Sequence, residues 1–384
     1  MIVGVPREVK DGECRVALTP DGARALTGSG HAVRIQSGAG ARVGFDDAQY
    51  AAAGAAVLTS AREVFAADLL LKVKEIYPQE HALLRPGLIT FCFQHFAPTP
   101  AALQASLDAR VSAIAFETVG QSSGLPILKP MSEIAGRLAM QMAMWALQTG
   151  NGGSGVLLQG TPSVAPGKVV IIGAGASGSN AAHVAISLGC RTVVFARSRQ
   201  RLDALDAAYA ASRPRAANPD HPAHTTGTGG LTTQVYDAAA LANALTDADV
   251  VIGAVLNPGQ TSPTLITRAM LRSMRKGSVF IDIGIDQKGI AETSRPSSHS
   301  APLYVEEGIV HGCVPNLPAA VARSATLALE QAALPYVKAL CAKGFRAAIE
   351  ADAALREGLQ VHDGHVVHAH LARDTGHLHA GLTW

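Results

Sequence analysis

The stretch from Lys168 to Arg199 constrains the fold more than any other. Val169–Ile172 is a short β-branched run, as expected of a strand buried on both faces. It runs into Gly173-x-Gly175-x-x-Gly178, after which the small residues of Ser177–Leu188 read as a helix and Thr192–Ala196 as a second strand. This is a βαβ unit, and the chemistry of its glycines follows from position. Gly173 permits a tight turn, Gly175 lets backbone approach a pyrophosphate, and Gly178 lets helix and strand pack closely. The helix N-terminus then holds the anion with unpaired N–H groups and its positive dipole end. A glycine turn alone is weak, but strand, turn, helix and second strand together predict dinucleotide binding.

One position departs from the usual pattern of such units. An NAD-binding unit commonly ends its second strand in Asp or Glu, about 20 residues on, to accept from the ribose 2′-hydroxyl. Here that place is Ala196, followed by Arg197-Ser198-Arg199. The missing acid and the added guanidiniums and hydroxyl suit a 2′-phosphate. They favour NADP(H), with NAD(H) as the alternative if the arginines are only a solvated loop.

The length, 384 residues, predicts two domains with ample core. A formal net charge of +2 gives no strong pull toward nucleic acid or anionic membrane. Cys14, Cys92, Cys190, Cys313 and Cys341 are odd in number and lack CxxC spacing, so they read as reduced thiols of a cytoplasmic protein. The chain opens on a strand rather than a signal peptide. Its best candidate span, Ile134–Leu147, is shorter than the ~18 residues a bilayer requires and carries Arg137.

Ahead of the βαβ unit, Ile2–Val5, Ala32–Gln36, Leu69–Val73, Leu88–Phe93 and Val111–Phe116 read as strands, separated by helical stretches such as Asp21–Gly28 and Pro100–Ala109. Alternation of this kind predicts a parallel sheet, whose ligands bind beyond the carboxyl ends of the strands. Lys74 and His95 close two of these strands, and Arg15 follows the first. Met131–Thr149 reads as a long connecting helix with Ser132 as N-cap and with Met140, Met142 and Met144 as core. Ala211–Thr233 has no periodicity and reads as a loop. Asp249–Leu256 and Ser278–Ile285 are two further strands, the second placing Asp286 at a carboxyl end. Gly308–Asn316 leads into an apolar helix, Val321–Leu340, which Pro335 is expected to kink or break. Asp363-Gly364 is a hairpin signal. The histidines around it have no Cys or Glu at zinc spacing, so no metal site is expected.

Several long motifs carry a resemblance. They are Gly4-Val-Pro-Arg-Glu-Val-Lys-Asp-Gly-Glu-Cys-Arg-Val-Ala-Leu-Thr-Pro20, Lys72-Val-Lys-Glu75, Phe116-Glu-Thr-Val119, Leu125-Pro-Ile-Leu-Lys-Pro-Met-Ser-Glu-Ile-Ala-Gly-Arg137, Asp282-Ile-Gly-Ile-Asp-Gln-Lys-Gly289 and Glu292-Thr-Ser-Arg-Pro296. Together they resemble the alanine dehydrogenase family, whose fold is shared with the α-subunit of nicotinamide nucleotide transhydrogenase. The resemblance implies an α/β chain of two Rossmann-like, doubly wound domains. A discontinuous substrate domain, residues 1–130 and 310–384, would enclose a dinucleotide-binding domain at 131–309. It further implies a homo-oligomer, a hexamer or a dimer. Arg15 and Lys74 are similar to the family's clamp on substrate carboxylate and keto oxygen, His95 to its general acid/base and Asp286 to its second catalytic carboxylate. Ser132, Ala176, Ser177, Val255, Leu256 and the stretch containing Asn316 match cofactor-contacting positions.

The implied reaction is oxidative deamination of L-alanine to pyruvate and ammonium, and the reverse, with a nicotinamide cofactor. A related NADP(H)-dependent imine or 2-oxo-acid reductase acting on another substrate is the alternative. It draws on Phe93-Gln94, where the family usually has Tyr-Leu; the lost hydroxyl and gained amide are expected to reshape the pocket. A nucleotide-binding component of a transhydrogenase-like assembly would have no need of the carboxylate clamp.

Overall fold

A computed structural model describes residues 1–121, 124–212, 230–255, 262–382 and 384. The chain divides into two compact units, Met1–Met131 with Ala319–Trp384, and Ser132–Pro318. Each is built on its own sheet, with helices in the crossovers.

The first sheet takes β1 (Ile2–Val5), β2 (Ala32–Gln36), β3 (Ala56–Leu58), β4 (Leu69–Leu71), β5 (Ile89–Cys92) and β6 (Ser112–Ala115). The second takes β7 (Lys168–Ile172), β8 (Arg191–Ala196), β9 (Leu231–Val235), β10 (Val250–Gly253), β11 (Val279–Asp282), β12 (Leu303–Glu306) and β13 (Ile309–Gly312). The tail then returns β14 (Leu359–His362) and β15 (His365–Val366) to the first sheet.

Both sheets use the same winding. The first runs β15-β14-β6-β5-β4-β1-β2-β3, parallel from β6 to β3, with the tail hairpin antiparallel at its edge. The second runs β12-β13-β11-β10-β7-β8-β9, parallel except for β12. In each, the order reverses beside the first strand, between β1 and β4 and between β7 and β10. A crevice opens at such a switch point, at the carboxyl ends of the strands.

Burial explains the sequence pattern of β7. Val169 and Ile171 pack with Ala139, Met140, Ala143, Ala181 and Ala185 on one face, while Val170 and Ile172 pack with Leu241, Leu245 and Phe280 on the other. A strand covered on both faces has no polar side to alternate, so it reads as a continuous apolar run. Met140 belongs to the first of these clusters, and Met142 and Met144, half-buried, pack against it.

Four local expectations are corrected. The connecting helix spans Leu128–Ala146, so Ser132 lies inside its second turn and is not its N-cap. The segment expected to be a loop at 211–233 is helix through Ser212 and strand from Leu231; residues 213–229 lie outside the described residues. Gly308–Asn316 contains β13, the sixth parallel strand of its sheet, so the second unit continues to Pro318. Pro335 stands within one helix, Ala322–Lys343, which neither ends nor restarts there. A proline removes one backbone N–H and crowds one carbonyl, and a helix of 22 residues with Ala325, Leu329, Ala333, Val337 and Leu340 buried carries that loss. The tail does form the expected hairpin, with Asp363 and Gly364 both at positive φ; His365 and His370 are exposed, while His362 and His368 are half-buried. His362 shares a hydrogen bond with Ser112 and stacks on Phe345, and His368 caps the helix Ala369–Thr375.

Candidate functional site

In the second unit, the glycines do what their spacing predicts. Gly173 sits at φ +114, a conformation a side chain would strain, and its N–H donates to Phe195 O at 2.7 Å. A Cβ there would lie 2.3 Å from Ala254 O, across the switch point. A Cβ on Gly178 would lie 1.8 Å from Gly173 O, so only glycine fits. Gly175 is the N-cap of the helix Ala176–Ser187, and among the described residues only the Arg201 guanidinium comes within 4.0 Å of an added Cβ. The cradle is therefore open where a phosphate would lie and closed where backbone must meet backbone. Gly136 had no signal in the motif, yet a Cβ on it would meet Ser177 O at 2.0 Å. It lets the connecting helix lie against the cradle's helix, where Arg137 Nε donates to Asn180 at 2.8 Å.

At the end of β8, Ala196 is buried, and its carbonyl accepts from Tyr236 N–H at 2.9 Å. No carboxylate stands there. Arg199 turns along its own helix to Asp203 (2.7 Å) and Asp206 (3.7 Å). Arg197 is exposed, while Ser198 is half-buried and its Oγ accepts from Arg201 N–H at 3.3 Å. Arg201, which the Arg197-Ser198-Arg199 reading passed over, is thus the arginine that lies against the cradle glycine. Its position one helical turn past the strand end is the signal that was available. Ser132, Ala176, Ser177 and Val255 are half-buried; Leu256 lies outside the described residues.

Asp286 does not extend β11. Ile283–Gln287 is a turn of 3₁₀ helix, and Asp286 is exposed on it. The turn is folded around Asp282, a buried carboxylate accepting from Gly284 N–H (3.1 Å), Ile290 N–H (2.8 Å) and Ser294 Oγ (2.6 Å). Burial pushes its carboxyl above the usual range, against the lowering effect of those donors. Asp286 Oδ2 meets Asn316 N–H at 3.5 Å, with Asn316 in the left-handed region at φ +55. Because β11 and β13 are neighbours, residues just past each arrive at one sheet edge. Asp282→Ala is expected to destabilise the chain by about 2–4 kcal/mol, since it orphans two buried N–H groups and the half-buried Ser294 hydroxyl; a chemical denaturation midpoint checks this.

In the first unit, the residues past β1, β4, β5 and β6 form a dense set of charges. Arg15 is 2% exposed and held in a fork by Glu13, Nε to Oε1 at 2.7 Å and Nη2 to Oε2 at 2.6 Å. Its Nη1 lies 3.3 Å from Met131 Sδ. Lys74 Nζ lies 3.3 Å from His95 Nε2, 3.8 Å from Glu75 Oε2 and 5.8 Å over the Phe93 ring. Burial alone would raise the Glu75 carboxyl, but Lys74 and Lys10 outweigh it and hold it below the ordinary carboxylate range. His95 adopts φ +48, a conformation a non-glycine residue seldom keeps without support. Glu117, which follows β6, accepts from both Gln94 N–H (3.2 Å) and His95 N–H (2.8 Å).

Two neighbours in sequence part company here. Lys72 is buried between Glu80 (2.7 Å) and Glu8 (3.5 Å), where burial lowers and the two carboxylates more strongly raise its ammonium. Lys74 instead reaches His95. Gln94 also departs from expectation. Its side chain is buried, with Nε2 donating to Thr90 Oγ1 (3.0 Å) and Ile114 O (3.3 Å). That amide braces β5 against β6 rather than reshaping a pocket, because strand alternation turns it into the sheet. Phe93 is the half of the pair that touches both Lys74 and His95. Among the described residues, no group of three or more His, Cys, Asp or Glu is placed to hold a metal, and no helix is long and apolar enough to cross a membrane.

Comparison with known proteins agrees with this geometry. Residues 4–135 match the family model described as "Alanine dehydrogenase/PNT, N-terminal domain", and residues 139–369 match "Alanine dehydrogenase/PNT, C-terminal domain". The chain is 43% identical to an alanine dehydrogenase of Halomonas elongata over 98% of its own length and 97% of that protein. It is 40% identical to the alanine dehydrogenase of Bacillus subtilis, over 98% and 95%. A solved L-alanine dehydrogenase superposes with a TM-score of 0.90 at 38% identity, covering 98% of this chain and 99% of that one. A transhydrogenase from Sinorhizobium meliloti, at 22% identity and a TM-score of 0.79 over 96% and 99%, shares the fold. Both sheets, the glycine cradle and the Arg15, Lys74 and His95 set thus stand in a chain that belongs to the alanine dehydrogenase/PNT family.

Proposed function

We propose that the protein is a nicotinamide-dependent amino-acid dehydrogenase converting L-alanine, NAD(P)⁺ and water to pyruvate, ammonium, NAD(P)H and a proton, and the reverse. The observation that carries this is the Lys74–His95 contact at 3.3 Å, in the same unit as a buried Arg15 already fixed by Glu13. A fixed guanidinium and an ammonium suit a small carboxylate bearing an adjacent oxo or amino group. The oxidised cofactor, when bound, supplies the hydride acceptor.

The chain's own residues do the rest. Arg15 and Lys74 hold the substrate carboxylate and oxygen, which limits the orientations of Cα. His95 takes a proton from the water that adds to the imine carbon and returns it to the departing nitrogen. Asp286 is the second catalytic carboxylate of this reading. Gly173, Gly175 and Gly178 and the first N–H groups of Ala176 and Ser177 hold the pyrophosphate, with Ser132, Val255, Leu256 and Asn316 around the remainder. In this reading the first unit is the substrate domain and the second the cofactor domain, in a homo-oligomer; sedimentation of the purified chain tests the oligomer.

For the cofactor, NADP(H) is favoured. Ala196 offers no acceptor to a ribose hydroxyl, and Arg197, Ser198 and Arg201 are placed around the strand end, whereas Arg199 is engaged by Asp203 and Asp206. Arg201→Ala is expected to weaken NADPH binding by on the order of tenfold to a hundredfold, the loss of one charge-assisted contact. NADH should lose less, and titration calorimetry reads both. The reaction itself is tested by reduced-nicotinamide absorbance with pyruvate and ammonium, NADPH against NADH. Faster oxidation of NADPH supports the full reading, and faster oxidation of NADH removes the phosphate site. Silence with both cofactors bound removes alanine as substrate.

A further inference from the structure

Glu117 lies in none of the roles above, yet it meets the His95 turn at Gln94 N–H, at His95 N–H and near the His95 ring. We propose that Glu117 is a positioning residue for this reaction, fixing the backbone turn of His95 and the ring nitrogen that carries its proton. The inference rests on the reading of His95 as acid/base.

The backbone comes first. β5 and β6 pair in parallel, with Cys92 opposite Ala115, and the next residues leave the ladder together. Past that point, the N–H groups of Gln94 and His95 have no strand partner, and such groups require one. Glu117 meets both with one carboxylate, Oε2 to Gln94 and Oε1 to His95. That double acceptance holds His95 at φ +48, which would otherwise relax.

The ring follows. Nε2 faces the Lys74 ammonium at 3.3 Å, and an ammonium has only donors. Nε2 is therefore the accepting nitrogen, and the ring proton sits on Nδ1. Nδ1 is 3.9 Å from Glu117 Oε1. That is too long for a hydrogen bond but close enough for a carboxylate to favour the N–H and the imidazolium. Phe93, stacked 5.8 Å away at 9°, restrains the ring plane. Charged groups facing this imidazole include Lys74 and Glu117, with Glu75 behind Lys74. A base aimed by a third group is the general logic of an activated pair. Here Glu117 would keep Nε2 ready to accept and steady the ring once it has done so.

The test uses the full chain as Glu117→Gln, Glu117→Asp and His95→Ala. In Glu117→Gln, kcat/KM at neutral pH is expected to fall on the order of a hundredfold, mostly in kcat. The acid limb of the pH profile should move to lower pH, and ¹⁵N signals of the His95 ring should show a changed tautomer balance. Glu117→Asp, which keeps the charge, should recover a large part of the loss. An unchanged pH profile with unchanged ring signals would overturn the proposal. So would Glu117→Gln outperforming Glu117→Asp, because both the double acceptance and the coupling to the ring need the carboxylate that only aspartate keeps. If His95→Ala stays active, the acid/base reading fails instead, while the ring signals in Glu117→Gln still report the coupling.

Discussion

His95→Ala is expected to lower kcat/KM by on the order of 10²- to 10⁴-fold, the range removed with a positioned acid/base. Its melting temperature should move little, because the imidazole is part-exposed and its backbone stays pinned by Glu117 through N–H groups the substitution keeps. Loss of φ +48 strain support is also small, since alanine shares the restriction that histidine has. Binding of reduced cofactor should survive, as the glycine cradle belongs to the other unit. Steady-state rates, a thermal melt and a cofactor titration together separate this outcome from misfolding. A variant within tenfold of wild type would remove His95 from the chemistry.

Lys72→Met should do the opposite: little specific chemistry, large loss of stability. Lys72 is 1% exposed and is the cation shared by Glu8 and Glu80. Removing it leaves two carboxylates in a low-dielectric setting without a counter-charge, an arrangement that costs about 3–5 kcal/mol. The sign of its pH dependence follows. Burial already raises the Glu8 carboxyl more than Lys72 and the Val73 N–H lower it. Without Lys72, the folded-state value rises further, so the native chain binds more protons than the unfolded one above the usual carboxylate range. Stability of the variant then falls as pH rises and returns as pH drops toward 5. The deficit against wild type should be smaller at pH 5 than at pH 8, by urea denaturation at each. An equal deficit at both would place the stabilisation in packing of the lysine stem rather than its charge.

These two substitutions mark how far the residues could be read in advance. Lys72 and Lys74 are two apart in Leu-Leu-Leu-Lys-Val-Lys, and nothing local says which closes the pair of carboxylates and which meets the histidine. Spacing places both at a strand end. Partners decide between them, and those partners come from Glu8 and Glu80 on one side and His95 on the other.

By itself, the sequence determined what short-range chemistry determines. The β-branched run, the glycine triplet and the small-residue helix force a strand–turn–helix, because backbone approach tolerates no Cβ at Gly173 or Gly178. Regular alternation of strand and helix made the sheets parallel, and the missing acid at Ala196 was visible as a residue identity. Only the tertiary structure decided the rest. Ala56–Leu58, only three residues long, and the polar-rich Leu231–Val235 are edge strands, so pairing with β2 and β8 makes them strands. Asp286 reached its turn through the buried Asp282, Gln94 turned into the sheet, and Glu117 came to His95 across a parallel pair. Each includes a partner well along the chain: Ile290 lies 8 positions from Asp282, Ile114 lies 20 from Gln94, and Glu117 lies 22 from His95. Contacts of that separation are set by register and sheet order, which no local pattern of residue types encodes.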